Sequence, residues 1–491
     1  MKPQLSYPLA ALTGLLLVII QPALAWTFLA PFAIAPLLLS IADEADGRRR
    51  FLLGWLAGTI QWGGTCYWIQ ATLAMHGGMP GWLASLLFVM FAIVKGLHLG
   101  VFAYLAGWLF GLRWGPPVIA LLWAGLERTH AELGFTWLLL GNAGINMGVP
   151  MRLAPITGVY GLSFVFALMS ASIIAWHLRK DRLQLVWCAP LLALYLLPAL
   201  PEPKAGRLNA TVVQPNLPED VQLSSEELHE GYDRLARRTL ENALDPRRPK
   251  PSLLLWPEMP ASLYFETDKA FHDQVSSVAR ITETPFLFGT VRFDAAGNPY
   301  NTAQYLTATG DPGGTYDKMN LVPFGEFVPP VFNILVDKVS KEAGTFQPGK
   351  EIRVFPSPAG KLGVFICYEA AFAEHVGRIT DRGAEVLVNL SNDGYFSKSA
   401  ARPQHLLLAR MRAAENARWF LRSTNDGFTA SIDPAGRVID ELPPYRVASG
   451  RLQYDTDSNR TLYTRAGDIF AWSALGLGLI IPLVARWRDS R

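Results

Sequence analysis

The chain has 491 residues, room for several domains; half are hydrophobic and only 17% are charged. So little charge argues against an ordinary soluble enzyme and for a membrane protein. A net charge of +3, scattered along the chain, gives no basis for nucleic acid binding. Three cysteines with no metal-type Cys/His spacing give neither a disulfide framework nor a metal site, and no cofactor is expected.

Seven apolar segments come first, at roughly 6–24, 27–41, 51–73, 82–111, 116–140, 155–176 and 183–200, and an eighth runs from about 469 to 485. About 20 apolar residues make a helix that crosses a bilayer, so the pattern predicts a polytopic helical bundle of about eight spans. The second segment is short enough to need tilting or local thinning. The fourth is long and carries Lys95 and His98, which read as a helix whose lysine snorkels toward a headgroup. Cys66 and Cys188 fall in apolar spans and read as small buried residues. Arg48, Arg49 and Arg50, then Arg113, then Arg179, Lys180 and Arg182, and finally Arg486, Arg488 and Arg491 follow alternate spans. By the positive-inside rule both ends of the sequence are then cytoplasmic and the long central region lies outside. The run ending PALAW also fits a signal peptide cut after Ala25, but its n-region holds only Lys2 and another apolar span follows at once.

From about 205 to 465 the composition changes to turn residues, charged helical stretches and short β-rich runs. NATVVQP, PSLLLWPE, PFLFGTV, NTAQYLTA, KLGVFIC, EVLVNLS and GFTASIDP alternate with helical stretches such as SSEELHEGYDRLARRTLENAL and RPQHLLLARMRAAENA. Strands interleaved with helices predict a layered α/β domain. Three domains follow: a membrane domain over 1–204, an α/β domain over 205–465, and a last transmembrane helix with a short tail over 466–491.

Within the α/β domain, Glu258 ends LLLWPE, Lys318 lies in YDKMNLVPFGE and Cys367 follows LGVFI. Each sits at or just past a strand-like run, where a fold can hold a reactive group at a pocket rim. A thiol nucleophile, a carboxylate base and an ammonium for an oxyanion are the parts of acyl transfer through a thioester. An ion pair beside a core cysteine is the bland alternative.

These residues lie in blocks that resemble a known family. WPE at 256–258, DKMNLVPFGEFVP at 317–329, ICYE at 366–369, SNDGYF at 391–396, RSTNDG at 422–427 and RTLYTRAGD at 460–468 resemble the carbon–nitrogen hydrolase (nitrilase) superfamily. With CYWI at 66–69, GVYGLSF at 158–164 and the flanking spans, the whole chain resembles the apolipoprotein N-acyltransferase family of the bacterial envelope. The resemblance implies an αββα sandwich with Glu258, Lys318 and Cys367 as the catalytic triad. It also implies that Glu326 and Glu369 position the lysine and the substrate amine, against the reading of ordinary structural carboxylates. Tyr368 would shape the pocket and supply an oxyanion N–H. Asn389 and Asn392 either order the pocket floor or simply form turns. Leu223 stands where the family often has tryptophan, and Leu462 where it commonly has proline. The reaction implied takes an acyl chain from a phospholipid through Cys367 to the α-amine of a diacylglyceryl-modified apolipoprotein, at the outer face of the bacterial inner membrane. A membrane-tethered amidase and a lipid-binding or transport protein with an inactive domain are the alternatives.

Overall fold

The computed structural model describes residues 3–218, 224–258, 264–327 and 346–489. Leu223, the residues Val328 and Pro329 that close the lysine block, and Arg491 lie outside the described residues. The chain divides into two compact units. One comprises 1–71, 80–200 and 466–491, the other 72–79 and 201–465.

In the second unit the apolar runs fold as strands, and more strands form than the hydrophobic pattern announces. They are β1 (Leu208–Gln214), β2 (Leu253–Leu255), β3 (Phe286–Phe293), β4 (Pro299–Leu306), β5 (Pro312–Asp317) and β6 (Val354–Phe355). Then come β7 (Leu362–Ile366), β8 (Val386–Ser391), β9 (Phe420–Thr424), β10 (Ala430–Ile432), β11 (Val438–Glu441) and β12 (Ala448–Tyr454). They build two six-stranded sheets in the orders β12-β1-β2-β3-β4-β5 and β11-β10-β9-β8-β7-β6. The pairs β1–β2, β2–β3, β7–β8 and β8–β9 are parallel. Their residues are buried on both faces, which is why β2, β7 and β8 read as nearly unbroken apolar runs. The sheets meet face to face, β1 against β9 and β4 against β7.

Helices cover the outer faces and complete four layers. Ser224 and Glu227 form a reciprocal capping box that starts the Ser225–Ala243 helix. Leu228, Tyr232 and Leu235 of that helix, with Phe271 and Val275 of the Lys269–Thr282 helix, bury Val213, Leu254, Trp256 and Phe286 of the first sheet. The indole N–H of Trp256 donates to Thr239 at 2.9 Å, so the strand end that carries Glu258 is pinned by its own tryptophan. On the second sheet, the Ala373–Asp381 helix packs on β7 and the Ala401–Asn416 helix on β9. The unit also takes in Thr72–Met79. There the Thr72 hydroxyl donates to the Tyr395 carbonyl at 3.1 Å and the His76 ring stands edge-on to Tyr395.

The first unit is helical. Among its described helices, Gly81–Ala106 and Val159–Arg179 are long and apolar enough to cross a membrane. Ser6–Ile19, Thr27–Ile41, Arg182–Leu196 and Ile469–Val484 are shorter apolar helices. Several sequence segments therefore end sooner than their hydropathy does. The fifth stops being helical at Glu132, and the seventh winds as a 3-10 helix around Pro190, which has no N–H to donate. The tightest helix pair is Gly47–Thr65 on Gly81–Ala106, where Gly58 faces Gly96 and Gly54 faces Leu99 and Ala103. A Cβ on Gly58 would stand 2.7 Å from the Gly96 carbonyl oxygen, so only glycine permits this approach.

Lys95 corrects the snorkelling reading. It is 4% exposed, donates to the Phe135 carbonyl at 2.8 Å and lies over the Trp62 ring at 4.7 Å. Cys66 is buried as expected, whereas Cys188 is only partly covered. Arg128 pairs with Asp468 and stacks on Trp472, tying the Gly115–Glu132 helix to the start of the last one.

Candidate active site

Glu258, Lys318 and Cys367 converge from the ends of β2, β5 and β7. Each chain leaves its strand at that point, so the side chains escape the alternation of the sheet and turn toward one another. All three are buried, with exposures of 7%, 1% and 5%. The Lys318 ammonium lies 3.3 Å from Glu258 Oε1 and 2.9 Å from Glu326 Oε1. The Cys367 thiol lies within the electrostatic reach of both Glu258 and Lys318.

Cys367 sits on a strained turn. Cys367 has φ +50° and opens the 3-10 turn Cys367–Ala371 directly after β7. A left-handed backbone at a non-glycine residue costs on the order of 1–3 kcal/mol and persists only where its surroundings impose it. Tyr368, next in line, is buried with its ring edge-on to Phe372.

The electrostatics fit a neutral thiol beside a base. Burial, then the negative field of Glu258, pushes the Cys367 thiol up to about 12, against the pull of Lys318. Burial likewise raises the Glu258 carboxyl above its ordinary range, although Lys318 opposes it. Burial alone would lower the Lys318 ammonium, but Glu258 and Glu326 outweigh it and hold it well above its usual value. The lysine is thus a fixed cation. The carboxylate can take the thiol proton only as the sulfur attacks, because a free thiolate is too costly here.

Glu326 and Glu369 occupy different places. Glu326 holds Lys318 and accepts the Val322 N–H at 2.8 Å, which closes its own loop. Glu369 is fully buried and accepts from Met319 N at 2.8 Å, Asn320 N at 3.0 Å, Ile366 N at 2.8 Å and the Tyr316 hydroxyl at 2.8 Å. One carboxylate thereby ties the lysine loop to the cysteine turn.

Residues 210–456 match the carbon-nitrogen hydrolase family, and residues 13–172 match the apolipoprotein N-acyltransferase N-terminal domain. The apolipoprotein N-acyltransferase of Geobacter metallireducens is 31% identical over 99% of this chain and 96% of its own length. The chain belongs to that family. The Methylococcus capsulatus apolipoprotein N-acyltransferase is similar at 30% identity, over 98% of this chain and 96% of its own. Among solved structures, an amidase from Nesterenkonia sp. is 16% identical with a TM-score of 0.40, covering 53% of this chain and 94% of that one. That likeness is too slight to carry an argument.

The structure also places further residues around Glu258, Lys318 and Cys367, and Asn301 is one that the sequence did not single out. Asn301 on β4 donates both amide protons, to Glu258 Oε1 at 2.6 Å and to Glu326 Oε1 at 2.7 Å, while its carbonyl accepts the Lys318 N–H at 2.8 Å. Asn392 forms a turn and also reaches Glu258. Its side chain accepts the Gly394 N–H in a turn, and its own N–H donates to Glu258 Oε2 at 2.9 Å. Asn389 donates to the carbonyls of Phe365 and Cys367 at 3.2 and 3.4 Å. Behind it lie Asp393, His405 and Arg422, all fully buried. SNDGYF signalled Asp393 only as part of a block. RSTNDG likewise signalled Arg422 only as part of a block, whereas His405 carried no local signal, because its partners lie 12 to 38 residues away in sequence.

Proposed function

We propose that this enzyme transfers a fatty acyl chain from a phospholipid, through a thioester on Cys367, to the N-terminal α-amine of a diacylglyceryl-modified apolipoprotein. The observation that carries the reading is the meeting of Glu258, Lys318 and Cys367 in one buried site of an apolipoprotein N-acyltransferase family member. Glu258 takes the thiol proton as sulfur attacks the ester carbonyl, and returns it to the departing lysophospholipid oxygen. Lys318 faces the oxyanion, joined by the N–H of Tyr368 at the start of the 3-10 turn, where N–H groups point out of the helix. In the second half the amine attacks the thioester. Its proton passes to Glu258 and then to the leaving thiolate, which restores the enzyme. One thiol serves both lipids in turn, so the kinetics are ping-pong. Glu326 and Asn301 hold the charged pair in register, and Glu369 holds the two loops.

Two-tailed substrates belong in a bilayer, and the apolar segments of the first unit fit a bundle of about eight spans in the bacterial inner membrane. The arginine-rich connections support both ends of the sequence on the cytoplasmic side and the catalytic unit on the outer face. A cysteine placed at Glu230 should then react with an impermeant thiol reagent in intact spheroplasts. Labelling only after lysis would invert the orientation.

The reaction is tested by mass spectrometry of purified protein incubated with phospholipid. An acyl adduct on Cys367 should form and persist, because a buried site keeps water from the thioester. A diacylglyceryl-cysteinyl peptide with a free N-terminus should discharge it to an amide, and the N-acetylated peptide should not. Steady release of free fatty acid regardless of acceptor would instead make the enzyme a hydrolase.

A further inference from the structure

The Cys367 carbonyl is held from behind by two side chains, and one guanidinium anchors both. His405 Nε2 lies 3.0 Å from that oxygen, and Asn389 Nδ2 lies 3.4 Å from it. Arg422 reaches each of them. Its Nη1 donates to Asn389 Oδ1 at 2.6 Å, and its Nη2 lies 3.0 Å from His405 Nδ1. Nη2 also donates to both Asp393 oxygens, at 2.8 and 2.9 Å.

The tautomer of His405 follows from this arrangement. A carbonyl only accepts, so Nε2 must carry a proton. Guanidinium only donates, so Nδ1 offers its lone pair to Arg422. Asp393 Oδ1, 3.0 Å from Nδ1, is satisfied by Arg422 and by the Ser391 hydroxyl at 3.0 Å. Burial, then the Arg422 charge, depresses the His405 imidazolium, in keeping with a neutral ring.

A peptide unit is planar and trans, so its C=O and N–H point in opposite directions. Whatever fixes the Cys367 oxygen therefore also fixes the Tyr368 N–H on the other side of the same plane. We infer that His405 is a positioning residue for catalysis: its Nε2–H, with Asn389, locks the strained Cys367–Tyr368 peptide and thereby aims the Tyr368 N–H at the oxyanion. The inference rests on the thioester reading above. It assigns a role in the chemistry to a histidine 38 residues away in sequence and buried behind the nucleophile.

The test uses two polar replacements that differ in where the donor sits. His405→Gln places an N–H near the Nε2 position, whereas His405→Asn places one near Nδ1. Acylation of Cys367 by phospholipid should be about 100-fold slower in His405→Asn with KM unchanged, the loss expected for one misaimed oxyanion donor. His405→Gln should stay within about tenfold of wild type. Alkylation of Cys367 by iodoacetamide forms no oxyanion, so its rate should change less than threefold in both. The inference is overturned if His405→Asn acylates at the wild-type rate, if alkylation falls in step with acylation, or if Gln rescues no better than Asn. Absence of any adduct in the wild-type enzyme would overturn the thioester reading instead.

Discussion

The two sheets contribute unlike halves of the site. From the first sheet come Glu258, Lys318, Asn301 and Glu326, a cluster of charges whose bonds run between side chains. From the second come Cys367, Asn389, Asp393, His405 and Arg422, where Arg422 and Asp393 pair with each other while Asn389 and His405 carry hydrogen bonds on to backbone carbonyls. The first half sets protonation and field. The second sets the shape of one peptide turn. A buried cation is tolerable in either half because it is paired, and of the two it is Lys318 whose charge acts on the Cys367 sulfur.

The sharpest way to break this division is to remove the atom on which both halves act. Cys367→Ala should abolish adduct and product, while Cys66→Ala and Cys188→Ala retain activity, as read by intact-protein mass spectrometry. An adduct persisting in Cys367→Ala would remove the sulfur from the chemistry.

Next in size are the charges. Glu258→Gln and Lys318→Met should each slow acyl-enzyme formation by roughly 100- to 1000-fold, about 2.7–4 kcal/mol for a preorganised electrostatic group. Both proteins should still fold, because these residues sit at strand ends and carry none of the sheets' ladder bonds with their side chains. Near-wild-type single-turnover rates in either variant would mean a wrong role for that residue.

Smaller is the effect of the asparagine between the carboxylates. A hydrogen bond to a charged group is worth about 1.5–3 kcal/mol, so Asn301→Leu should slow acylation by roughly 10- to 100-fold. Iodoacetamide reactivity of Cys367 should change less than acylation does. A larger loss than in Lys318→Met would make Asn301, not the lysine, the main electrostatic group.

The smallest expected effect lies in the pH profile. Glu258 must be ionised to accept the thiol proton, and its carboxyl is raised above the ordinary carboxylate range. Acylation should therefore fall as pH drops through that raised value, at a pH where an exposed glutamate would still be ionised. The same limb should be missing in the residual activity of Glu258→Gln. An unchanged limb in that variant would assign it to another group.

Much of this was legible in the residues. LLLWPE, LGVFICYE and EVLVNLS are apolar runs that stop at a polar residue, and a strand buried on both faces leaves that pattern without help from the rest of the chain. β5, β6, β9, β11 and β12 were not legible in the same way. PGGTYD and FLRST hold too few consecutive apolar residues, and they become strands only because a neighbouring strand offers them a ladder. The reading of Lys95 failed for a related reason. Hydropathy locates a lysine along a helix axis but does not say whether a carbonyl and an indole wait beside it.

The sequence by itself determined which reactive groups are present: a thiol, a carboxylate and an ammonium, each at the end of a strand-like run, in a chain too apolar to live wholly in water. Tertiary structure decided how those groups are held. The fork of Asn301 between two carboxylates, the Glu369 tie between two loops and the Arg422 anchor behind Cys367 each join residues from different strands and turns. Such bonds depend on sheet order and register, which arise from the packing of the whole unit and have no counterpart in local pattern.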